Sequence, residues 1–360
     1  MTIYLYSGKI MLTSRKLYFI LFFITQLHSD TFTLQEDDNL SSVRNDDVKF
    51  SIEIGTKSDF WSPGLAGNVI NYDTEGLFLA YGKLKLKLYD SDVFTIEKYT
   101  TPSSSRQQDD LLQSYKKDQK AEATIDGMRV TIQLAKVINY LFDKEWINGF
   151  NYEYNTRNFI GDATVKMNSV YWYGKINGGV LGQDYALLET DDRLSFKTKF
   201  TSHKLSYKWE NILKRLEGSY LSLGVFDEEW SKPTFIGDTA LQGELPVIFD
   251  ANYYSKGLST NIGVKNKNYN IEAYVEVGLD NEMKVIQKEQ QYAHLNKNVQ
   301  MYMMGISSEY KFTDVYSTQY FTTDIIFGAE MQYNQIIQSG SIKLDAETLY
   351  GLNAGIEIIF

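Results

Sequence analysis

GLFLAYGKLKLKLYDSD, residues 76 to 92, alternates apolar and charged side chains along most of its length. Successive side chains of a β-strand point to opposite faces, so this alternation predicts a strand with one apolar and one charged face. The apolar face carries Phe78, Ala80, Leu84, Leu86 and Leu88, and the charged face carries Lys83, Lys85 and Lys87.

The same two-residue period recurs elsewhere, in VKFSIEIGTK (48 to 57), GMRVTIQLAK (127 to 136), NYNIEAYVEVGLD (268 to 280) and residues 300 to 312 and 318 to 332. Ordinary strands have about five or six residues. These segments reach about ten or more, which is the length that a tilted strand needs to cross a bilayer. The pattern therefore predicts an all-β fold, specifically a closed antiparallel transmembrane β-barrel.

The predicted connections between strands are alternately short and long. Short polar turns occur at 90 to 92 and 265 to 268, and long polar stretches occur at 57 to 74, 101 to 125, 227 to 245 and 281 to 298. Transmembrane barrels have tight turns at the periplasmic end and longer loops outside. Counting from Val48 gives about 14 strands, with 12 to 16 open because residues 176 to 192 are hard to assign, and places both barrel ends on the periplasmic side.

Composition agrees with an exported β protein. The chain has four Pro but 27 Tyr and 20 Phe, which favour strands over helices. A net charge of -10 argues against a nucleic-acid partner, which requires a basic surface. The absence of Cys excludes a disulfide framework and a thiolate metal cluster.

The N-terminus has the order of a secretory signal peptide. Arg15 and Lys16 precede the apolar run from Leu17 to Ile24, and an acceptable cleavage site follows at 27 to 29. That run is too short for a membrane-spanning helix, which needs roughly 20 residues. We expect a signal peptide over 1 to 29, starting at Met1 or Met11, a flexible acidic periplasmic lead over 30 to 46, and the barrel over 47 to 360. A buried N-terminal strand or helix is the alternative.

The last eight residues, NAGIEIIF, combine strand alternation with an aromatic end. Their polar, glycine, apolar and aromatic positions are Asn353, Gly355, Ile358 and Phe360. This pattern closely resembles the C-terminal β-signal of bacterial outer-membrane β-barrel proteins. The resemblance implies an outer-membrane location in a Gram-negative bacterium and engagement of this strand by the barrel-assembly machinery through β-augmentation. It indicates this class of protein and no specific family.

A soluble β-sandwich or lipocalin-like barrel would also alternate, with its apolar face inside. Polar faces on nearly every long strand favour the membrane barrel, because they suit a wet lumen. Aromatic residues near strand ends also suit interfacial girdles. They are Tyr99, Tyr152, Tyr154, Tyr171, Tyr173, Tyr253 and Tyr254.

If the apolar faces contact lipid, the charged faces line the lumen, and their charges are unevenly distributed. The first and middle strands would form a basic wall of Lys83, Lys85, Lys87, Arg129, Lys197, Lys199, Lys204 and Lys208. The last strands, with the first, would form an acidic wall of Glu53, Glu272, Glu276, Glu309, Asp324, Glu330 and Glu357. In a barrel of about 14 strands these walls would face each other, as in diffusion porins.

This charge distribution favours a passive, porin-like channel for small polar or charged solutes. The alternative is a surface-exposed barrel with ligand-binding or adhesive loops and a closed lumen, in which the same charges pair with their neighbours. The expected partners are outer-membrane lipids, lipopolysaccharide, the assembly machinery and, for a channel, small polar solutes. The sequence does not specify an oligomeric state.

We expect no enzymatic activity, cofactor or metal site. Outside the predicted signal peptide the chain has two histidines, His203 and His294. Ser206 follows His203 by three residues, so in a regular strand the two side chains point to opposite faces. His294 lies in a polar stretch, and neither histidine belongs to a cluster at metal-ligand spacing.

Overall fold

A computed structural model describes residues 48–65, 70–72, 76–88, 91–102, 111–115, 123–142, 149–166, 170–173, 185–236, 247–286, 297–338 and 344–360. These residues form one compact unit, which begins at Val48. The predicted signal peptide and periplasmic lead lie outside the described residues.

Sixteen strands and one helix make up the described part of the chain. The twelve long strands are β1 (Val48–Pro63), β3 (Gly76–Leu88), β4 (Ser91–Thr100), β6 (Thr124–Ile132), β7 (Phe150–Val165), β10 (Arg193–Glu210), β11 (Ser219–Ile236), β12 (Val247–Lys265), β13 (Tyr269–Val285), β14 (Lys297–Ser317), β15 (Thr322–Gln338) and β16 (Glu347–Ile359). The short strands are β2 (Ile70–Tyr72), β5 (Leu112–Tyr115), β8 (Val170–Tyr173) and β9 (Tyr185–Leu188), and the helix is α1 (Leu134–Phe142).

The twelve long strands close into an antiparallel barrel. Each pairs with its neighbour along the chain, β11 pairs with β12, and the ring is completed where β16 pairs with β1, with Glu53 opposite Glu357. Closure removes the free edges that would otherwise expose unpaired backbone groups to lipid. The prediction of a closed all-β barrel is confirmed, and the strand number lies at the lower end of the expected range.

The two ends of the barrel differ. At one end, which we call the turn end, lie the start of β1, the end of β16 and tight connections such as Lys265 to Tyr269. The other end, the loop end, carries the long connections except 133 to 149, which contains α1, and three of the loop-end connections contribute short strands: β2 pairs with β7, β5 with β10, and β8 with β12. This is the alternation of connections that the sequence predicts.

Three strands extend further towards the loop end than predicted. The segments expected as long connections begin at 57, 227 and 281, whereas β1 continues to Pro63, β11 to Ile236 and β13 to Val285. Backbone pairing continues past the apolar segment because the ladder hydrogen bonds do not depend on side-chain polarity.

The outward face carries an apolar belt. Large apolar side chains with exposed fractions near one half recur at every second position of the long strands, and they include Ile54, Phe78, Leu84, Val225, Leu258, Val275, Ile306, Phe327 and Leu352. In water such a surface would be unfavourable, whereas in a bilayer it contacts hydrocarbon. A closed barrel with this belt is an outer-membrane-type transmembrane barrel.

The loop-end half of the interior contains a large apolar cluster, next to which Arg157, Lys232 and Glu347 are also buried. One cluster, which we call the apolar plug, contains fourteen residues that are each at most 7 % exposed. It comprises Trp61, Leu65, Ile70, Leu77, Leu79, Ile125, Phe159, Ala163, Val165, Leu188, Leu194, Phe196, Ile248 and Leu349. A second buried cluster around Trp230, Tyr253 and Met283 lies beside strands β11 to β15.

The segment from 127 to 136, predicted as one strand, changes to a helix within its length. β6 ends at Ile132 and α1 begins at Leu134 at the turn end of the barrel. The apolar positions of LAKVINYLF also fit a helical period, so alternation over a few residues does not distinguish the two structures. No helix in the described ranges is long and apolar enough to cross a membrane.

Candidate functional site in the barrel lumen

The three lysines of β3 contact two carboxylates on neighbouring strands. Lys85 Nζ lies 2.6 Å from Glu53 and 3.2 Å from Glu357. Lys83 Nζ lies 3.0 Å from Glu53, and Lys87 Nζ lies 3.1 Å from Glu357. Both carboxylates are fully buried, so they offset the repulsion between lysines that share one face of a strand.

This network continues into β14 and β15. Lys311 pairs with Glu357 and lies 3.8 Å from Asp324. Asp324 also accepts a hydrogen bond from the backbone N–H of Asp314 at 2.9 Å. Glu309 lies 3.9 Å from the amine of Lys83. These charges pair side by side at the turn-end half of the lumen.

A second set of ion pairs surrounds a cavity of about 110 Å³. Lys57 Nζ lies 2.7 Å from Glu97, and Arg129 donates to Glu153 at 3.0 Å. Lys204 pairs with Glu276. All six of these side chains line the cavity, which lies between the turn-end network and the apolar plug.

Three more of the predicted lumen residues, Lys208, Glu272 and Glu330, also face inward. Tyr220 donates a hydrogen bond to Glu272 at 2.5 Å, and Lys208 Nζ lies 4.0 Å from the centre of the Tyr220 ring. Glu330 lines the cavity and is 4.0 Å from Lys57. Lys208 and Tyr220 lie on adjacent strands, whereas Glu272 and Glu330 contact residues two strands away. Lys204 and Glu276 are three strands apart and Lys83 and Glu309 are four, so predicted basic and acidic residues pair with each other inside the lumen.

Lys197 and Lys199 do not face the lumen. The register of β10 against β7 is unbroken from Arg193 to Tyr207, so side chains separated by an odd number of residues point to opposite faces. Lys204 points inward to Glu276, which places Lys197 and Lys199 on the outward face. The sequence prediction grouped odd-numbered and even-numbered lysines of one strand, and strand geometry does not allow that.

Correcting this register also accounts for the apolar plug, which sequence reasoning missed. If the two lysines point outward, Leu194, Phe196 and Phe200 point inward, and all three are buried. The signal was present in the sequence as a switch of the inward face of β10 from polar to apolar towards the loop end. The prediction of polar faces around a wet lumen did not take this switch into account, and the closed alternative relied on paired charges alone.

Arg157 stands at the boundary between cavity and plug. Its guanidinium lies 3.7 Å from the Trp61 ring centre and 5.5 Å from that of Trp230, and it donates to Glu347 at 2.8 Å. A guanidinium suits this position because its faces stack on aromatic rings while its edge binds a carboxylate. The side chain is 5 % exposed, so Glu347 compensates a charge that is almost completely removed from water.

The residues of the assembly pattern lie in β16, between β1 and β15. Asn353 and Gly355 face inward, and a Cβ at position 355 would overlap the Tyr81 hydroxyl. Ile358 and Phe360 lie on the outward face, and the Phe360 N–H donates to the Phe50 carbonyl at 2.8 Å. The glycine is therefore required by packing in the finished barrel.

The outward histidine has aromatic neighbours. His203 Nδ1 lies 2.8 Å from the Tyr152 hydroxyl, and its ring centre lies 5.0 Å from that of Tyr154. Ser206 faces the lumen, opposite His203, as the spacing predicts. His294 lies outside the described residues. Within the described ranges, no group of three His, Cys, Asp or Glu side chains is placed to hold a metal ion.

Comparison with known proteins finds likeness at the level of structure alone. No family model matches the chain, and no curated protein sequence matches it. Among solved structures, OmpT, an outer membrane protein of Vibrio cholerae, is 9 % identical at a TM-score of 0.31, covering 87 % of this chain and 97 % of that one.

Two further solved structures are similar at the same level. The translocator domain of the autotransporter NalP from Neisseria meningitidis is 8 % identical at a TM-score of 0.30, with 96 % of each chain covered. The outer membrane protease OmpT from Escherichia coli is 6 % identical at 0.29, covering 92 % of this chain and all of that one. Scores this low carry no weight for function.

Proposed function

We propose that this chain is an outer-membrane barrel with a closed lumen that presents its long connections at the cell surface for binding. The observation that carries the proposal is the apolar plug. Trp61, Phe159 and Phe196 are at most 2 % exposed inside the barrel, with ring centres 5.4 and 5.6 Å apart along the row. Side chains packed in this way exclude water and ions from the loop-end half.

The short strands at the loop end support a presenting role. β2, β5 and β8 belong to three different long connections, and each is hydrogen-bonded to the barrel wall. Such pairing limits the motion of a connection and gives it a defined position, which lowers the entropic cost of binding. Ligand-binding residues are commonly found on loops held by a rigid scaffold.

The outward face suits contact with lipopolysaccharide. Lys197 and Lys199 lie on β10 beyond Leu205, on the loop-end side of the apolar belt. Lysines at this depth meet the headgroup region, where phosphate groups are the complementary partners. The other proposed partners are the membrane lipids and the barrel-assembly machinery. We propose no enzymatic role, cofactor or metal.

A passive channel for small polar or charged solutes is the second candidate. The cavity and the charged turn-end half of the lumen favour it, because they would carry a solute if the plug opened. The ion pairs count against a transverse field, since they neutralise charge between neighbours.

Planar-bilayer conductance distinguishes the two functions. We expect the wild-type protein to be electrically silent and the double variant Phe159→Ala, Phe196→Ala to show discrete steps, because it removes two rings from the plug. The matched control is Phe60→Ala, Phe78→Ala, which removes two rings from the outward face and should stay silent. Steady steps from the wild-type protein would refute the closed lumen and support the channel.

A further inference from the structure

Asp59 is a buried carboxylate, one oxygen of which has no hydrogen-bond partner among the described residues. It is 4 % exposed, and its Oδ1 atom makes no hydrogen bond in the part of the chain that the structure describes. The residue faces the lumen cavity. A buried carboxylate oxygen normally accepts hydrogen bonds or binds a cation, because leaving it bare costs the full desolvation of a charge.

The cations near Asp59 are occupied elsewhere. Lys57 and Arg157 are close enough for their charges to act on Asp59. Lys57 Nζ lies 2.7 Å from Glu97, and Arg157 is bound to Glu347 at 2.8 Å and stacked on Trp61. No ion pair within 4.0 Å joins either cation to Asp59. The carboxylate therefore lacks a dedicated cation.

A second carboxylate lies beside it across a glycine. Gly351 pairs with Asp59 on β1 and with Glu330 on β15, so the three residues form a row on the inward face. A Cβ at position 351 would lie 2.5 Å from Asp59 Oδ1 and 3.2 Å from Glu330 Oε1. The missing side chain lets both carboxylates pack directly against Gly351, and a Cβ there would displace Asp59.

The ionisable side chains that line the cavity have a net negative charge. Six carboxylates and four cationic side chains line it. One of the four cations, Arg157, forms an ion pair with Glu347, which does not line the cavity. The cavity therefore holds more negative than positive charge and would be stabilised by one further cation.

We propose that Asp59 and Glu330 together bind a small organic cation of the ammonium class in the cavity that both residues line. An ammonium group supplies N–H donors to both carboxylates, and a short alkyl substituent fits a cavity of about 110 Å³ beside Trp61 and Leu349. A metal ion fits less well, because two carboxylates offer too few ligands for Ca²⁺. The site borders the apolar plug, but binding there does not require that the lumen conduct or that the surface connections take part.

The site can be tested by calorimetric titration of the folded protein in detergent micelles with methylammonium chloride. A titration with sodium chloride at the same concentrations is the reference. We expect saturable binding that weakens at least tenfold in Asp59→Asn and in Glu330→Gln, and that is lost in Gly351→Ala, whose methyl group would displace the Asp59 carboxylate. The matched controls are Asp227→Asn, which removes an exposed outward carboxylate, and Gly82→Ala, whose added Cβ meets only the Glu53 carbonyl oxygen at 3.9 Å. Both should bind like the wild-type protein.

Three results would overturn the proposal. These are no saturable heat from the wild-type protein up to about 100 mM methylammonium, equal binding of sodium, or unchanged affinity in Asp59→Asn. If Gly351→Ala does not fold, the two isosteric carboxylate variants decide the question. Conductance measurements do not enter this test, so it can fail while the proposed closed lumen stands.

Discussion

Glu53 has no exposed surface and accepts contacts from three side chains, Lys83 at 3.0 Å, Lys85 at 2.6 Å and the Tyr81 hydroxyl at 2.9 Å. The charge of Glu53 stabilises the barrel, because it offsets the repulsion between two lysines on the same face of one strand. Breaking a buried ion pair is costly because it leaves the other charge bare.

We therefore predict that Glu53→Gln lowers the free energy of unfolding by about 3 to 5 kcal/mol. The variant keeps the shape of the side chain and loses its charge, so the loss reports on electrostatics. Urea unfolding followed by tryptophan fluorescence in lipid vesicles measures it. Asp227→Asn is the control, because the Asp227 pair with Lys256 is long and exposed, and should cost at most about 1 kcal/mol. Equal losses in both variants would contradict the assigned role of Glu53.

At the scale of elements, β10 marks where sequence reasoning succeeded and where it did not. Its length, its antiparallel pairing and the inward position of Lys204 follow from alternation. The outward position of Lys197 and Lys199 also follows, once every residue of the strand is held to a single register. What alternation cannot decide is which face of the loop-end half meets water, because leucine and phenylalanine suit lipid and a packed interior equally well.

The prediction for the segment that forms α1 was wrong for a different reason. Leu134 and Val137 fit a helical period, whereas Leu134 also continues the alternation of β6, and a few residues do not separate the two periods. The short strands β2, β5 and β8 could not be predicted either, since each owes its conformation to pairing with a distant part of the wall.

The last strand carries a prediction of its own. Phe360 is 56 % exposed on the outward face, so Phe360→Ala should change the free energy of unfolding of the folded barrel by only about 0.5 kcal/mol. If the aromatic end is read during assembly, the same variant should accumulate less folded barrel in the outer membrane of cells, measured as the heat-modifiable band on gels.

Phe327→Ala is the matched control for this experiment. Phe327 lies on the outward face of β15, next to β16, and is 50 % exposed. The Phe327→Ala substitution therefore removes the same ring from the same kind of environment as Phe360→Ala. It should assemble normally. An equal loss of folded barrel in the two variants would mean that the terminal aromatic acts through lipid contact alone and has no special part in assembly.

At the scale of the whole molecule, the barrel combines two interiors. The turn-end half is held by ion pairs, and the loop-end half is packed like the core of a soluble protein. Twelve strands lie between the eight that side chains can fill and the sixteen or more that leave a channel, so the interior needs both kinds of filling. This division predicts that the loop end, with its plug and short strands, is the surface presented outside the cell.

Because the chain has no cysteine, orientation can be measured with single cysteine variants on a blank background. Asn71→Cys in β2 marks the loop end and Lys214→Cys, between β10 and β11, marks the turn end, and both positions are exposed. On intact cells a membrane-impermeant maleimide should label only Asn71→Cys. Lys214→Cys should react only after the outer membrane is permeabilised. It lies at the turn end, where β1 begins and β16 ends, and in outer-membrane barrels that end faces the periplasm. If Lys214→Cys alone is labelled on intact cells, the barrel has the opposite orientation and its loop end faces the periplasm.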